Sequence, residues 1–134
     1  MRDHTQLRAF VLADEIALLV YRASQSFPKS ELYGLTAHIR RAAVSVPSNI
    51  VEGCSRESRA EYLHFLEIAF GSLRELHYQL DLARRLGYLD KSPTAEWDAR
   101  ITEGEKVLGA LIRSIRSPKT PKLLPPKSLS RPPP

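Results

Sequence analysis

A seven-residue repeat of apolar side chains runs through the middle of the sequence. The repeat has two interleaved series, Tyr62, Ala69, Leu76 and Ala83 in one and Leu66, Leu73 and Leu80 in the other. Side chains at this spacing share one face of an α-helix, so the repeat predicts one long helix that packs against other helices. Ser58 to Glu61 has the pattern of a capping box, and Gly87 is a typical C-terminal stop.

Three further segments have the apolar spacing of helices. The first runs from about Thr5 to Ser26 and ends before Pro28, because proline restricts the residue that precedes it. The last opens at Ser92-Pro93, with serine as the cap, and continues to about Ser117. Short connectors between long amphipathic helices favour antiparallel neighbours. The sequence therefore predicts an all-α protein, an antiparallel up-down four-helix bundle over residues 1–117.

The second helical segment contains a proline. Its apolar stripe is interrupted by Pro47, which removes one backbone hydrogen bond and crowds the carbonyl of Ala43. We expect a kinked but continuous helix to about Gly53, and two helices broken at Pro47 are the alternative. Polar side chains also fall on or near the apolar faces of this helix and the next, and buried polar groups must be paired. They predict an interhelical network of Ser45, Asn49, Ser72 and Gln79.

The last seventeen residues, 118–134, differ in composition from the rest. They include seven prolines and four basic residues but no acidic residue, which predicts a disordered, basic tail. Residues 1–117 contain 16 basic and 15 acidic residues, so most of the net charge of +5 belongs to the tail. A nucleic-acid role must therefore depend on local clusters in the bundle. The tail itself could serve a protein partner as a polyproline-like ligand or tether.

Several classes of function are disfavoured by the sequence. No apolar run is long enough to cross a membrane, the N-terminus is unlike a signal peptide, and the single cysteine, Cys54, suits a reducing compartment, so we expect a cytoplasmic protein. A di-iron site needs two Glu-x-x-His pairs, and only Glu61 with His64 has this spacing. Cys54 has no neighbouring histidine to activate it, and there is no glycine-rich phosphate loop or serine nucleophile elbow. We expect no enzymatic activity, metal or cofactor.

Arginines, several of them in adjacent pairs, are the remaining polar residues that could bind a ligand. The candidates for nucleic-acid binding are Arg40, Arg41, Arg56, Arg59, Arg84 and Arg85. Such a set can contact the phosphates of a nucleic acid. It can also form ion pairs between helices, because the planar guanidinium matches a carboxylate. Tyrosines beside arginines favour single-stranded nucleic acid, but the spacing of Tyr33, Tyr78 and Tyr88 is not diagnostic. Both interpretations stay open, and the acidic partners would be Glu52, Glu57, Glu61, Glu75 and Asp81.

The first helix has more apolar positions than a helix in a monomeric bundle needs, which is roughly three in seven. The surplus includes Val11, Leu12, Leu18 and Leu19. These four residues are the predicted interface with another copy of the chain.

A family resemblance follows from the second and third helices. Ile39–Gly53, with its proline inside a helix, closely resembles the signature of the four-helix-bundle proteins encoded within intervening sequences of bacterial 23S ribosomal RNA genes. Phe65–Leu76, Gln79 and Leu86–Leu89 continue the resemblance, which covers roughly residues 5 to 117. It implies an up-down bundle with a kinked second helix that assembles as a ring-like homopentamer, and no catalytic activity is established for the family.

Two functional hypotheses result. The first is a non-enzymatic homo-oligomer associated with nucleic acid, RNA rather than DNA, through the arginines and the tail. The second is a protein-interaction scaffold whose arginines are structural, or an accessory subunit of a reverse transcriptase. Bundles of similar architecture serve as accessory subunits of diversity-generating retroelements, where a basic pentamer binds a reverse transcriptase and nucleic acid. The likeness there is in architecture and not in sequence motif.

Overall fold

The computed structural model of the chain describes residues 2–89 and 91–117, with the backbone alone for residues 91–95. Its helices are α1 (Arg8–Ala23), α2 (Leu35–Cys54), α3 (Arg59–Arg85) and α4 (Lys91–Arg116). Short 3-10 helices occupy His4–Gln6, Ser24–Ser26 and Lys29–Glu31. No strand occurs within the described ranges, and the predicted all-α class is confirmed. The tail predicted over residues 118–134 lies outside the described residues.

Each helix packs against two neighbours, α1 on α2 and α4, and α3 on α2 and α4. Contacts between α2 and α3 show that they run antiparallel: Ser45 meets Ser72 at 2.8 Å, and Gly53, near the end of α2, lies against Phe65 near the start of α3. α1 and α4 also run antiparallel, as the ion pairs Arg8–Glu103 and Arg100–Glu15 show. These contacts close the four helices around one core.

The core is built from the predicted apolar stripes. All seven residues of the two heptad series in α3 are buried, as the repeat predicted. Ile16 of α1, Ile39 of α2 and Trp97 of α4 are also buried and complete the interior. One detail differs on α4: the apolar spacing of the sequence predicts Leu111 on its buried stripe, but Ile112 is buried and Leu111 is only half-buried. The buried face of α4 therefore includes Ile112, which the predicted stripe left out.

The ends of α3 follow the sequence signals. The Ser58 side chain accepts a hydrogen bond from the Glu61 N–H at 3.0 Å, which caps the first turn. Gly87 has a φ of +80°, a backbone conformation that side chains disfavour. This turn lets the Tyr88 N–H reach the Ala83 carbonyl at 2.9 Å, the bond of a Schellman motif. Both predicted ends of α3 are confirmed.

Three other predicted boundaries need correction. α1 begins at Arg8 and not at Thr5, because a 3-10 turn occupies His4–Gln6. It ends at Ala23, because the chain tightens there into the 3-10 turn Ser24–Ser26 before Pro28. α4 begins at Lys91, so Ser92 lies inside its first turn and is not the residue before it. A helix tolerates Pro93 at this position because its first four N–H groups have no intrahelical acceptor.

α2 is continuous from Leu35 to Cys54 although it contains Pro47. The alternative of two helices broken at Pro47 is therefore wrong. The neighbouring Ala43, Val46 and Ile50 are almost completely buried, so packing against the core compensates for the missing backbone hydrogen bond. The kink at Pro47 stays a prediction.

The predicted polar network between α2 and α3 is present in part. Ser45 and Ser72 share a hydrogen bond of 2.8 Å, and the Asn49 amide donates to the Ser45 carbonyl at 2.8 Å. Gln79 does not join them: it donates to Glu75 at 3.3 Å, and its buried oxygen has no partner among the described residues. The network therefore couples α2 to α3 through three residues.

Two glycines in the helices provide a stability prediction. Gly71 lies inside α3 with nothing within 4 Å of the position a Cβ would take, so Gly71→Ala should raise the free energy of unfolding by about 0.5–1 kcal/mol. Gly53 is the matched control, because its Cβ would lie 3.1 Å from the Phe65 Cβ and 3.3 Å from the Tyr62 carbonyl oxygen. Gly53→Ala should lower the free energy of unfolding, and urea denaturation measures both. Equal effects of the two substitutions would contradict this packing of α2 on α3.

His77 connects α3 to α4 through both ring nitrogens. Nδ1 lies 2.8 Å from a Glu105 oxygen and Nε2 lies 2.8 Å from an Asp98 oxygen. Both contacts are hydrogen bonds at once only when both nitrogens carry protons, which is the imidazolium form. Burial by itself lowers the pKa of His77, but the hydrogen bonds to Asp98 and Glu105 outweigh it and raise the pKa above its usual value. Arg74 also faces Glu105, at 3.4 Å, and the Trp97 ring packs edge-on against the imidazole.

The raised pKa of His77 makes stability depend on pH. Protonation favours the folded state, so the stabilisation is fully present below about pH 6.5, the usual histidine pKa, and is lost as the pH rises through the higher folded-state value. We expect the free energy of unfolding to fall as the pH rises above about 6.5. His77→Gln removes the titrating group and should flatten this part of the profile in urea titrations. An unchanged slope in the variant would assign the effect to other groups.

Candidate nucleic-acid interface

Three of the six candidate arginines are paired with carboxylates three or four residues away in the sequence. Arg56 forms an ion pair with Glu52, and Arg84 and Arg85 both bind Asp81, at 2.7 Å and 3.0 Å. Arg56 also lies over the Phe65 ring, 5.0 Å from its centre. The bonds from Arg84 and Arg85 lower the pKa of Asp81, so this carboxylate stays charged. At these positions the positive charges are largely neutralised in the folded chain.

Two other candidates hold the bundle together through uncharged groups. Arg59 donates to the carbonyl oxygen of Ile115 and so satisfies a free acceptor in the last turn of α4. Arg40 donates from Nε to the Ser24 Oγ at 2.8 Å, and its guanidinium lies over the Tyr21 ring at 4.8 Å. Both arginines keep their full positive charge while they position neighbouring elements.

Arg41 is exposed and is the least constrained of the six. Its nearest polar partner is Nδ1 of His38, at 3.5 Å. Arg22, at the end of α1, and Lys29, in the connector before α2, are also exposed, and neither was selected from the sequence. Within the described ranges, none of Arg22, Lys29, Arg40 and Arg41 forms an ion pair with a carboxylate. These four cations, named here the α1–α2 cation cluster, lie at the end of the bundle where α1 leads into α2.

Two of the three candidate tyrosines are available at the same end of the bundle. Tyr33, in the connector, is 91% exposed, and Tyr78 of α3 is 59% exposed. Tyr88 is not available, because its hydroxyl donates to Glu31 at 2.9 Å and its ring packs on Phe27. The structure therefore combines unpaired cations and exposed aromatic rings at one end, an arrangement suited to phosphates and unstacked bases.

The four predicted interface residues of α1 divide into two pairs. Val11 and Leu18 are 44% and 49% exposed. They are seven residues apart, so both lie on the outer face of α1. Leu19 is half-buried against the core, and Leu12 is 6% exposed and belongs to the interior of its own chain. Val11 and Leu18 are thus the part of the set that the single chain leaves accessible.

The remaining candidates for chemistry are dispersed. Cys54 is buried, burial raises the pKa of its thiol, and the Arg2 backbone N–H binds its carbonyl at 3.0 Å. Glu61 and His64 are both exposed on α3. In the part of the chain that the structure describes, no three histidine, cysteine or acidic side chains are grouped as metal ligands would be. None of the helices described there has the length and apolar character needed to cross a membrane.

The sequence matches the model of the 23S rRNA-intervening sequence proteins over residues 5–110. This chain belongs to the 23S rRNA-intervening sequence protein family. Its fold is similar to the crystal structure of a protein with unknown function from the S23 ribosomal protein family of Bacteroides thetaiotaomicron, with a TM-score of 0.71 and 24% identity over 78% of this chain and 95% of that chain. No curated protein matches the sequence. The predicted family membership is confirmed, and the matched residues include the whole of α2 and α3.

Proposed function

We propose that this member of the 23S rRNA-intervening sequence protein family is a non-enzymatic, cytoplasmic homo-oligomer that binds RNA. The observation that carries the proposal is the α1–α2 cation cluster, defined above as Arg22, Lys29, Arg40 and Arg41. Cations that are not neutralised by the folded chain can exchange their counterions for phosphates, which is the main source of affinity for nucleic acid. The paired Arg56, Arg84 and Arg85 make a smaller contribution.

Single-stranded RNA is the form that this end of the molecule suits best. Tyr33 and Tyr78 expose ring faces on which unpaired bases can stack, and stacking contributes about 1–3 kcal/mol per base. A regular duplex keeps its bases stacked inside and offers only its backbone and grooves to such rings. The family name, which refers to an RNA gene, supports RNA over DNA.

The oligomer we propose is a homopentamer, as the family resemblance implies, with Val11 and Leu18 of α1 in its interface. Their exposed apolar surfaces would gain from burial against another copy. Assembly also matters for binding, because linked copies of a weak site bind one RNA much more tightly than a single copy. Sedimentation of the full chain measures the subunit number, and a monomer at micromolar concentration would contradict the oligomer.

Fluorescence anisotropy with a labelled single-stranded RNA tests the proposed function. The full chain and a chain that ends at Ser117 are compared over a range of salt concentrations, with single-stranded DNA and duplex RNA of the same sequence as controls. We expect binding that weakens steeply with salt and that persists without the tail, since the cluster lies in the bundle. Absence of binding by both chains at low salt would contradict the proposal. The alternative, a scaffold with structural arginines, would then be favoured, and the pairing of Arg56, Arg84 and Arg85 already agrees with it.

A further inference from the structure

A cleft of about 230 Å³ lies at the corner where α1 passes into α2. Two cations line it, Lys29 from the connector and Arg40 from α2. The side chains of Phe27 and Pro28 supply an apolar wall, and Thr36 contributes from the first turn of α2. No acidic residue of the described ranges is among the lining residues. The cleft therefore concentrates positive charge in a partly enclosed space.

Arg40 is held in place by contacts that leave some of its guanidinium N–H donors free. Its Nε donates to the Ser24 Oγ at 2.8 Å, and Nη2 contacts the Tyr21 carbonyl at 3.4 Å. Stacking over the Tyr21 ring, at 4.8 Å, fixes the plane of the guanidinium. An arginine has five N–H donors, so three remain for a ligand. Because the side chain is already ordered, binding through it costs little conformational entropy.

Thr36 provides the second, independent indication of a ligand. The residue is 4% exposed, and its hydroxyl has no hydrogen-bond partner among the described residues. The hydroxyl oxygen is itself covered, so a ligand reaches it only after a small shift of the cleft wall. A buried donor without a partner has already lost its water, so a ligand oxygen that then accepts its hydrogen bond gains more than it would from a solvated hydroxyl. Thr36 also lies in the first turn of α2, where the positive end of the helix dipole favours an anion.

The nearest acidic residue in the connector is engaged elsewhere. One oxygen of Glu31 accepts the Leu35 N–H at 3.0 Å, and the other accepts the Tyr88 hydroxyl at 2.9 Å. These bonds lower the pKa of Glu31, so it is a fixed negative charge that does not line the cleft. Lys29 and Arg40 are therefore left without a carboxylate, and an external anion is the group that would balance them.

We propose that the Lys29–Thr36–Arg40 cleft is a binding site for one phosphate group. The three residues offer an ammonium, a guanidinium and a hydroxyl, the donors that phosphate oxygens prefer. A cleft of 230 Å³ accepts a phosphate and leaves the remainder of the ligand outside. On the basis of the proposed function, this phosphate belongs to an RNA strand. Leu32 lines the cleft and its chain neighbour Tyr33 is 91% exposed, so a base next to the bound phosphate can stack there.

The experiment uses the full chain with two probes. Inorganic phosphate is titrated while the amide signals of Thr36 and its neighbours are followed by NMR, and a labelled twelve-nucleotide oligouridylate is titrated by fluorescence anisotropy. The variants are Lys29→Gln and Thr36→Val, and Lys106→Gln, an exposed lysine of α4, is the charge-matched control. We expect RNA affinity to fall about tenfold in Lys29→Gln and to lose about one unit of salt slope, with less than about twofold change in Lys106→Gln. Thr36→Val should weaken binding without lowering the melting temperature, because the hydroxyl has no partner to lose.

The outcomes separate the site from the proposed function. RNA binding by the wild type that is unchanged in Lys29→Gln and Thr36→Val, or reduced equally by Lys106→Gln, overturns the phosphate site and leaves RNA binding standing. Phosphate-dependent shifts of the amide signals at position 36 and its neighbours that vanish in both variants, without RNA binding by the wild type, support the site and overturn the RNA proposal. The ligand would then be a smaller phosphorylated compound. If Thr36→Val fails to fold, the RNA affinity and the phosphate response of Lys29→Gln alone test the site, because Lys29 is exposed and its replacement leaves the core intact.

Discussion

Replacing Lys29 and Arg41 together with glutamine is expected to weaken the binding of single-stranded RNA about a hundredfold at low salt. Both side chains are exposed and lack a carboxylate partner within the described ranges, so their charges are free to contact phosphates. A charge-assisted contact contributes roughly tenfold, and two independent contacts multiply. The salt slope should fall by about two, which anisotropy titrations at several salt concentrations measure.

Arg84 and Arg85 supply the matched control for this double variant. Their replacement by glutamine removes the same formal charge from the same end of the bundle, but both guanidiniums already bind Asp81. We expect less than about fivefold loss of RNA affinity, because exposed ion pairs contribute little and leave less free charge to lose. Equal losses of RNA affinity in the two double variants would show that binding depends only on the net charge of the protein. The α1–α2 cation cluster would then not be a distinct site.

Leu73→Ala should lower the free energy of unfolding by about 3–5 kcal/mol. Leu73 is 1% exposed at the centre of α3. Leu73 and Ile16 of α1 both lie against Gly104 of α4, which has no side chain to fill the space that truncation would leave. Urea denaturation of the variant and of Ile68→Ala measures the effect. Ile68 lies on the same helix but is 39% exposed, so its truncation should cost less than about 1 kcal/mol.

A double-mutant cycle with Gly104→Ala tests the cause of this loss. A Cβ on Gly104 would lie 3.4 Å from Leu73 Cδ2 and 3.1 Å from Ile16 Cδ1, so it is crowded in the wild type. In the Leu73→Ala background one of these neighbours is gone, and the added methyl partly fills the cavity. We expect the two substitutions together to destabilise less than the sum of the single effects. Strictly additive changes in the free energy of unfolding would show that the methyl group added at position 104 does not fill the cavity left by Leu73→Ala.

The fold was predictable to the extent that it depends on local periodicity. The heptad series of α3, the cap at Ser58 and the stop at Gly87 are statements about residues close in sequence, and the structure confirms them. Boundaries were less predictable where competing local signals meet, as at Ser92-Pro93, which lies inside α4. Continuity of α2 through Pro47 depends on burial against other helices. The sequence therefore could not exclude two helices broken at Pro47.

Part of the candidate site was also readable from helical spacing. Glu52 is four residues before Arg56, and Asp81 is three and four residues before Arg84 and Arg85, so these pairs are local. Arg41, in contrast, has no acidic residue three or four positions away on α2. Counting such neighbours would have separated the neutralised arginines from the free ones. Arg22 meets the same condition on α1, and this signal was missed.

The sequence by itself determined four helices, their apolar faces and the family, because periodicity, caps and a proline-containing signature all depend on residues close together in the chain. Tertiary structure alone decided that Arg40 and Arg59 are committed to the fold. Arg59 binds the carbonyl of Ile115, and Arg40 binds Ser24, although each pair is distant in sequence or lies on different elements. It also brought Lys29, Thr36 and Arg40 around one cleft, because the corner between α1 and α2 exists only when both helices pack on the same core.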